Sequence, residues 1–117
     1  MGSHILVIDD DRGIRAFISK ALTDVGYEVT LAASATEGLK AVSETSPAVI
    51  LLDMRMPDDG PRFERDLRSR ANGARVVAMS ASPQGREWAS DGGMQFLPKP
   101  FELEELFAAI RTASKAA

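Results

Sequence analysis

Five times along this chain a short apolar run is followed by an amphipathic stretch, and that alternation limits the fold more than any other feature. Ile5-Leu6-Val7-Ile8 is an unbroken apolar run that stops at Asp9-Asp10-Asp11. Runs without alternation read as strands buried on both faces. Ile14, Phe17, Ile18, Ala21, Leu22 and Val25 then recur at helical spacing, and Gly26 follows as a C-terminal stop. Tyr27 to Leu31 alternates and reads as a second strand, and Ser34-Ala35-Thr36-Glu37 reads as a capping box for a helix carrying Leu39 and Val42.

Pro47 punctuates, and Ala48-Val49-Ile50-Leu51-Leu52 is the most apolar strand candidate, stopping at Asp53. A charged helix is expected from Pro61 to about Arg70, a turn at Asn72-Gly73, and a fourth strand from Val76 to Met79 that ends at Ser80. Pro83, Gly85, Gly92 and Gly93 predict a short or poorly formed helix between Ser82 and Gly93. Gln95-Phe96-Leu97 forms a brief fifth strand before Pro98-Lys99-Pro100, and Leu103, Leu106, Phe107 and Ile110 share one face of a last helix that reaches Lys115. Five βα units in series predict a single α/β domain over 1–117. Parallel strands need right-handed crossovers, so this is a doubly wound parallel sheet of flavodoxin-like order 2-1-3-4-5.

Composition narrows the function. A net charge of −3 offers no basic face for nucleic acid, and no cysteine is present for disulfides or thiolate metal sites. No apolar run approaches the roughly 20 residues of a membrane span, so a cytoplasmic location is expected. Residues 1–4, Met1-Gly2-Ser3-His4, read either as native or as vector-derived, and His4 is given no weight as a ligand or base.

Ligands of open α/β sheets bind beyond the carboxyl ends of the strands. The polar residues that end the apolar runs all fall there: Asp9 and Asp10, Asp53, Ser80 and Lys99. Taken singly, each has a bland explanation as a turn former, a loop hydroxyl or a solvated lysine. Asp11 fits a helix N-cap. Their coincidence at four strand ends is what points to one site. Three carboxylates brought together repel one another, and a hard divalent cation relieves that repulsion. Oxygen-only donors favour Mg²⁺.

The strings Ile5-Leu6-Val7-Ile8-Asp9-Asp10-Asp11, Leu51-Leu52-Asp53-Met54-Arg55-Met56-Pro57, Met79-Ser80-Ala81 and Leu97-Pro98-Lys99-Pro100-Phe101 resemble the receiver domain of two-component response regulators, across essentially the whole chain. The resemblance implies that Asp53 is the phosphoacceptor for a histidine kinase or histidine phosphotransfer protein. Asp10 would then ligate Mg²⁺, with Asp9 assisting and the backbone carbonyl of Arg55 supplying a further oxygen. Lys99 would pair with a phosphoryl oxygen, the Lys99–Pro100 bond would be cis, and Ser80 and Phe96 would form a switch pair. On this reading the domain is a signalling phosphoacceptor rather than an enzyme acting on other substrates, and it makes no direct nucleic-acid or membrane contact.

Two regions depart from the family pattern: the loop after Pro57 is about one residue short, and the fourth helix is compressed. The family reads its output from the fourth helix, fifth strand and fifth helix, so the compression bears on readout. Trp88, in that segment, is expected either to pack or to meet a partner. Arg55 and Ser82 occupy positions that flank the path of attacking water in the family, which predicts that Arg55 alters phosphoryl lifetime. A downstream protein or a separate output domain would complete the pathway. Competing readings are a phosphorylation-independent interaction domain and a haloacid-dehalogenase-type phosphohydrolase. The latter wants an acid/base Asp where this chain has Arg55, and no glycine-rich nucleotide fingerprint follows the first strand.

Overall fold

The computed structural model describes residues 3–54, 60–71, 73–91 and 93–115. Ten elements alternate along it: β1 (His4–Ile8), α1 (Arg12–Asp24), β2 (Glu28–Ala32), α2 (Ala35–Thr45), β3 (Val49–Asp53), α3 (Gly60–Arg70), β4 (Arg75–Ser80), α4 (Pro83–Asp91), β5 (Gln95–Pro98) and α5 (Leu103–Lys115). All pairings are parallel, and the order is β2-β1-β3-β4-β5, as the βα repeats predict. The chain therefore reverses its winding direction between β1 and β3, which opens a crevice at their carboxyl ends.

Alternate strand residues feed two cores. Leu6, Ile8, Ile50, Leu52, Val76 and Ala78 face α2, α3 and α4. Ile5, Val7, Val49, Leu51, Val77 and Met79 face α1 and α5. In β1 and β3 every apolar residue is buried, as their uninterrupted sequences require. Edge strand β2 is only partly covered. Gly38 of α2 marks a close helix–sheet approach on the first face, because a Cβ there would press on the Ile8 side chain at 2.7 Å.

The helix ends follow local rules. Asp11 caps α1, its carboxylate accepting the Ile14 N–H at 3.1 Å. The helix closes with a double hydrogen bond, Tyr27 N–H to Leu22 O and Gly26 N–H to Thr23 O, which needs the left-handed Gly26 (φ +99°). Ser34 caps α2 through the Glu37 N–H. The Glu37 carboxylate returns not to Ser34, as a capping box would have it, but one residue earlier, to the Ala33 N–H at 2.9 Å.

Several sequence expectations are settled or corrected. Helix α4 is short, one of the two alternatives expected, and it is formed over nine residues. Ser82 accepts the Gln84 N–H at its start with Pro83 at the first helical position, and Met94 and Gly93 N–H bond back to Ala89 and Ser90 O at its end. Phe17, Val25 and Leu103 are exposed, because Ile18 and Leu22 in α1 and Leu106 and Ile110 in α5 occupy the centres of their faces. Asp53 and Ser80 are the last residues of β3 and β4. His4 belongs to β1 and hydrogen bonds Thr30 Oγ1 through Nε2 at 2.6 Å. The Arg55 carbonyl, the loop after Pro57, Asn72 and the Trp88 side chain lie outside the described residues. Among the described residues, no helix is long and apolar enough to cross a membrane.

Candidate functional site

Three carboxylates converge at the β1–β3 crevice. One oxygen each from Asp9, Asp10 and Asp53 lies within 4.8 Å of the others. Asp9 and Asp53 are buried and Asp10 is exposed, so the cluster opens to solvent on one side. Backbone geometry places Asp53: it is held in register against Met79, and the next N–H, Met54, bonds Met79 O at 2.9 Å. A buried aspartate on the last residue of an apolar strand needs compensation.

Lys99 supplies it. The residue follows β5, its N–H bonds Ser80 O at 2.9 Å, and the adjoining Lys99–Pro100 peptide is cis, as the resemblance implies. Its ammonium, nearly buried, sits 2.8 Å from Asp9 Oδ2 and 3.4 Å from Asp53 Oδ1. One cation thus bridges carboxylates from two strand ends. Asp9 is bound on every polar atom: its N–H donates to Ala32 O at 3.0 Å, Oδ1 accepts the Asp11 N–H at 2.8 Å, and its carbonyl accepts from the Arg15 guanidinium at 2.8 Å.

The donor set fits a hard divalent ion. It consists of carboxylate oxygens only, close enough to share one ion, with a solvent-facing member to admit it. The lysine already present shows that this crevice accommodates positive charge.

On the far side, Ser80 is buried at the end of β4, and its Oγ accepts the Ser82 N–H at 3.0 Å. Gly85 of α4 lies directly against it, and a Cβ there would overlap Ser80 Oγ and Cβ. Phe96 in β5 is partly buried, and the Arg86 guanidinium stacks 4.8 Å from its ring centroid. Asp9, Asp10, Asp53 and Lys99 are therefore brought together, with Ser80 at the end of β4 and Phe96, within β5, on the other side of Gly85. Sequence reasoning did not single out Arg15, Gly85 or Arg86. Only Gly85 carried a signal, a glycine inside a helical segment, and it was read as a weakness of the helix.

A parallel (βα)5 sheet with a lysine-bridged acidic crevice at its switch point defines a protein of the flavodoxin-like receiver type. A family model described as the response regulator receiver domain matches residues 5–111. Response regulator MprA of Mycobacterium leprae (strain TN) is 38% identical over 112 residues, covering 92% of this chain and 49% of the relative. MprA of Mycobacterium sp. (strain KMS) is 36% identical over 115 residues, covering 95% and 50%. Among solved structures, chemotaxis protein CheY4 of Vibrio cholerae superposes with TM-score 0.85 at 28% identity, covering 97% of this chain and 99% of that one. The receiver domain of sensor histidine kinase PA1611 from Pseudomonas aeruginosa, solved with a magnesium ion in its active-site cleft, gives 0.86 at 29%, covering 98% and 99%. The chain belongs to the response regulator receiver domain family of two-component systems. It spans about half the length of the MprA relatives.

Proposed function

We propose that this domain accepts a phosphoryl group on Asp53 from a phosphohistidine on a histidine kinase or phosphotransfer protein, and signals by a change of shape. The observation that carries the reading is Lys99 lying between Asp9 and Asp53, with Asp10 completing an oxygen cluster open to solvent. A carboxylate oxygen of Asp53 attacks phosphorus, the phosphorus–nitrogen bond of the donor imidazole breaks, and the imidazole leaves with the electron pair.

Asp9, Asp10 and Asp53 would hold Mg²⁺, with the Arg55 carbonyl joining them as the family resemblance implies, and the Pseudomonas receiver carries a magnesium ion in its active-site cleft. The ion would supply charge neutralisation for the phosphoryl oxygens. Lys99, with its ammonium already at Asp53, disperses the charge that builds on the group in transfer. An apolar groove runs beside Lys99, lined by Ile14, Phe17, Pro100 and Phe101, and gives the donor protein a surface within reach of the site. Arg55, two residues beyond the acceptor, governs how long the phosphoryl group survives.

Signalling follows from Ser80. Its hydroxyl leaves the Ser82 N–H for the new phosphoryl oxygen, and the Phe96 ring, whose edge already borders Gly85, moves further into the space that Ser80 vacates. Two pre-existing arrangements are biased by a ligand that bonds only one of them. Readout passes to a partner protein or to an output domain elsewhere in the protein, and the domain works in the cytoplasm. Incubation with acetyl phosphate and Mg²⁺ tests the proposal by mass spectrometry. Wild type gains one phosphoryl group, whereas Asp53→Ala gains none. No gain in wild type would favour a phosphorylation-independent interaction domain. Transfer from a panel of histidine kinases identifies the donor.

A further inference from the structure

Arg15 does not touch the carboxylates, yet it holds the backbone that presents them. It sits in the first turn of α1, where its own N–H bonds Asp11 O at 3.1 Å. Its side chain turns back toward the start of the helix, as helical side chains do, and donates to Asp9 O at 2.8 Å. The carbonyl of Asp9 and the N–H of Asp10 belong to one planar peptide unit. A bond to that oxygen fixes the plane from which the Asp10 side chain departs. Asp9 has its remaining polar atoms committed to Ala32, Asp11 and Lys99, so the bond from Arg15 completes the set that holds this residue.

We infer that Arg15 is a positioning residue for the divalent-cation site, clamping the Asp9–Asp10 peptide so that Asp10 meets the ion from a fixed direction. The inference rests on the Mg²⁺ reading of the acidic cluster. Arg15 acts here against its own charge. A guanidinium near three carboxylates opposes cation binding by Coulomb repulsion, so a purely electrostatic role and a positioning role predict opposite signs.

Mg²⁺ titration of the full chain by isothermal calorimetry, with thermal melts in the absence of Mg²⁺, separates them. Arg15→Ala is expected to weaken Mg²⁺ affinity about tenfold, the loss typical when a group supporting a metal ligand is removed. Arg15→Lys, which keeps a donor near the carbonyl, recovers part of that loss. Unchanged affinity in Arg15→Ala, with or without a lower melting temperature, would mean that the bond only joins β1 to α1 and would overturn the inference. Tighter binding would also overturn it, by showing that charge dominates. Should Arg15→Ala not fold, Arg15→Gln removes the same charge with a milder truncation, and the same signs decide. Wild type serves as the control on the underlying reading: if it binds no Mg²⁺, the cation site itself fails, and this inference fails with it.

Discussion

The two walls of the crevice are built on different physics. On the β1 side, Asp9 is tied down by four hydrogen bonds, two of them from the cations Lys99 and Arg15. On the β4 side, the Ser80 carbonyl accepts the Lys99 N–H, but its side chain has a single bond among the described residues, from the Ser82 N–H, and its neighbours are held by steric contact with Gly85 and by an arginine stacked on Phe96. Charge-assisted bonds in a buried setting are strong and directional, so the first wall sets geometry once. A single neutral hydrogen bond is worth about 0.5–1.5 kcal/mol net. The second wall can therefore be rearranged by one new ligand bond. The proposed switch needs both: a rigid side to do chemistry and a soft side to report it.

Removing the acceptor breaks this contrast most completely. Asp53→Asn keeps the shape of a buried side chain but cannot form an acyl phosphate. Phosphoryl incorporation from acetyl phosphate should fall below detection, while the melting temperature shows that the fold survives. Incorporation persisting in Asp53→Asn would place the chemistry elsewhere.

Lys99→Met tests the rigid wall. Loss of a preorganised charge at a transition state costs about 10²- to 10³-fold in rate. The same change leaves Asp9 and Asp53 buried without their shared cation, and breaking such a pair costs about 3–5 kcal/mol. Mg²⁺ can replace that charge. Added Mg²⁺ should therefore raise the melting temperature of Lys99→Met more than that of wild type. Equal Mg²⁺ responses would mean that Lys99 and the ion do not share the same carboxylates.

Gly85→Ala tests the soft wall. Alanine gains about 1 kcal/mol over glycine in a helix interior. Its Cβ, however, would overlap Ser80 Oγ and Cβ, and overpacking costs about 1–3 kcal/mol. The resting state should lose stability by up to about 2 kcal/mol on that balance. Relief comes if Ser80 moves off the Ser82 N–H toward Asp53, so beryllofluoride with Mg²⁺ should stabilise Gly85→Ala more than wild type. A smaller stabilisation than wild type would show that Ser80 does not travel in that direction.

The rigid wall was largely legible in the sequence, whereas of the soft wall only Ser80 and Phe96 were and the contacts of α4 with them were not, for a physical reason. Asp9, Asp10, Asp53 and Lys99 end apolar runs, so strand periodicity alone carries them to one edge of the sheet. The N-caps at Asp11 and Ser34 are similarly local. Contacts across α4 depend on where a whole helix sits on the sheet, which no local pattern encodes. Gly85 thus looked like a helix weakness and is instead the point where the helix approaches Ser80. Arg15 was one charged residue on an amphipathic helix until the turn at Asp9 brought a carbonyl within its reach. Helix α2 ends with Ser46 in the left-handed region (φ +47°), where the usual glycine signal is missing and only the following Pro47 marks the stop.

The smallest expected effect, at Arg86, sharpens the comparison further. Arg86 is exposed, and its hold on the Phe96 ring is a cation–π contact worth about 0.5–1 kcal/mol at such a site. Stacking on the ring favours the arrangement in which Phe96 remains beneath the guanidinium with only its edge against Gly85, so Arg86→Ala frees the ring to move further toward Ser80. The inward population should rise roughly two- to fivefold without phosphorylation, the equivalent of that energy. Fluorine NMR of fluorophenylalanine-labelled protein, with the Phe96 resonance assigned by a Phe96→Leu variant, reads the two ring environments directly. Arg86→Lys, which keeps the charge but not the planar stacking group, should lie between wild type and Arg86→Ala. An unchanged ring population in Arg86→Ala would mean that Phe96 is held by its contacts with the core, and that Ser80 alone sets the balance of the soft wall.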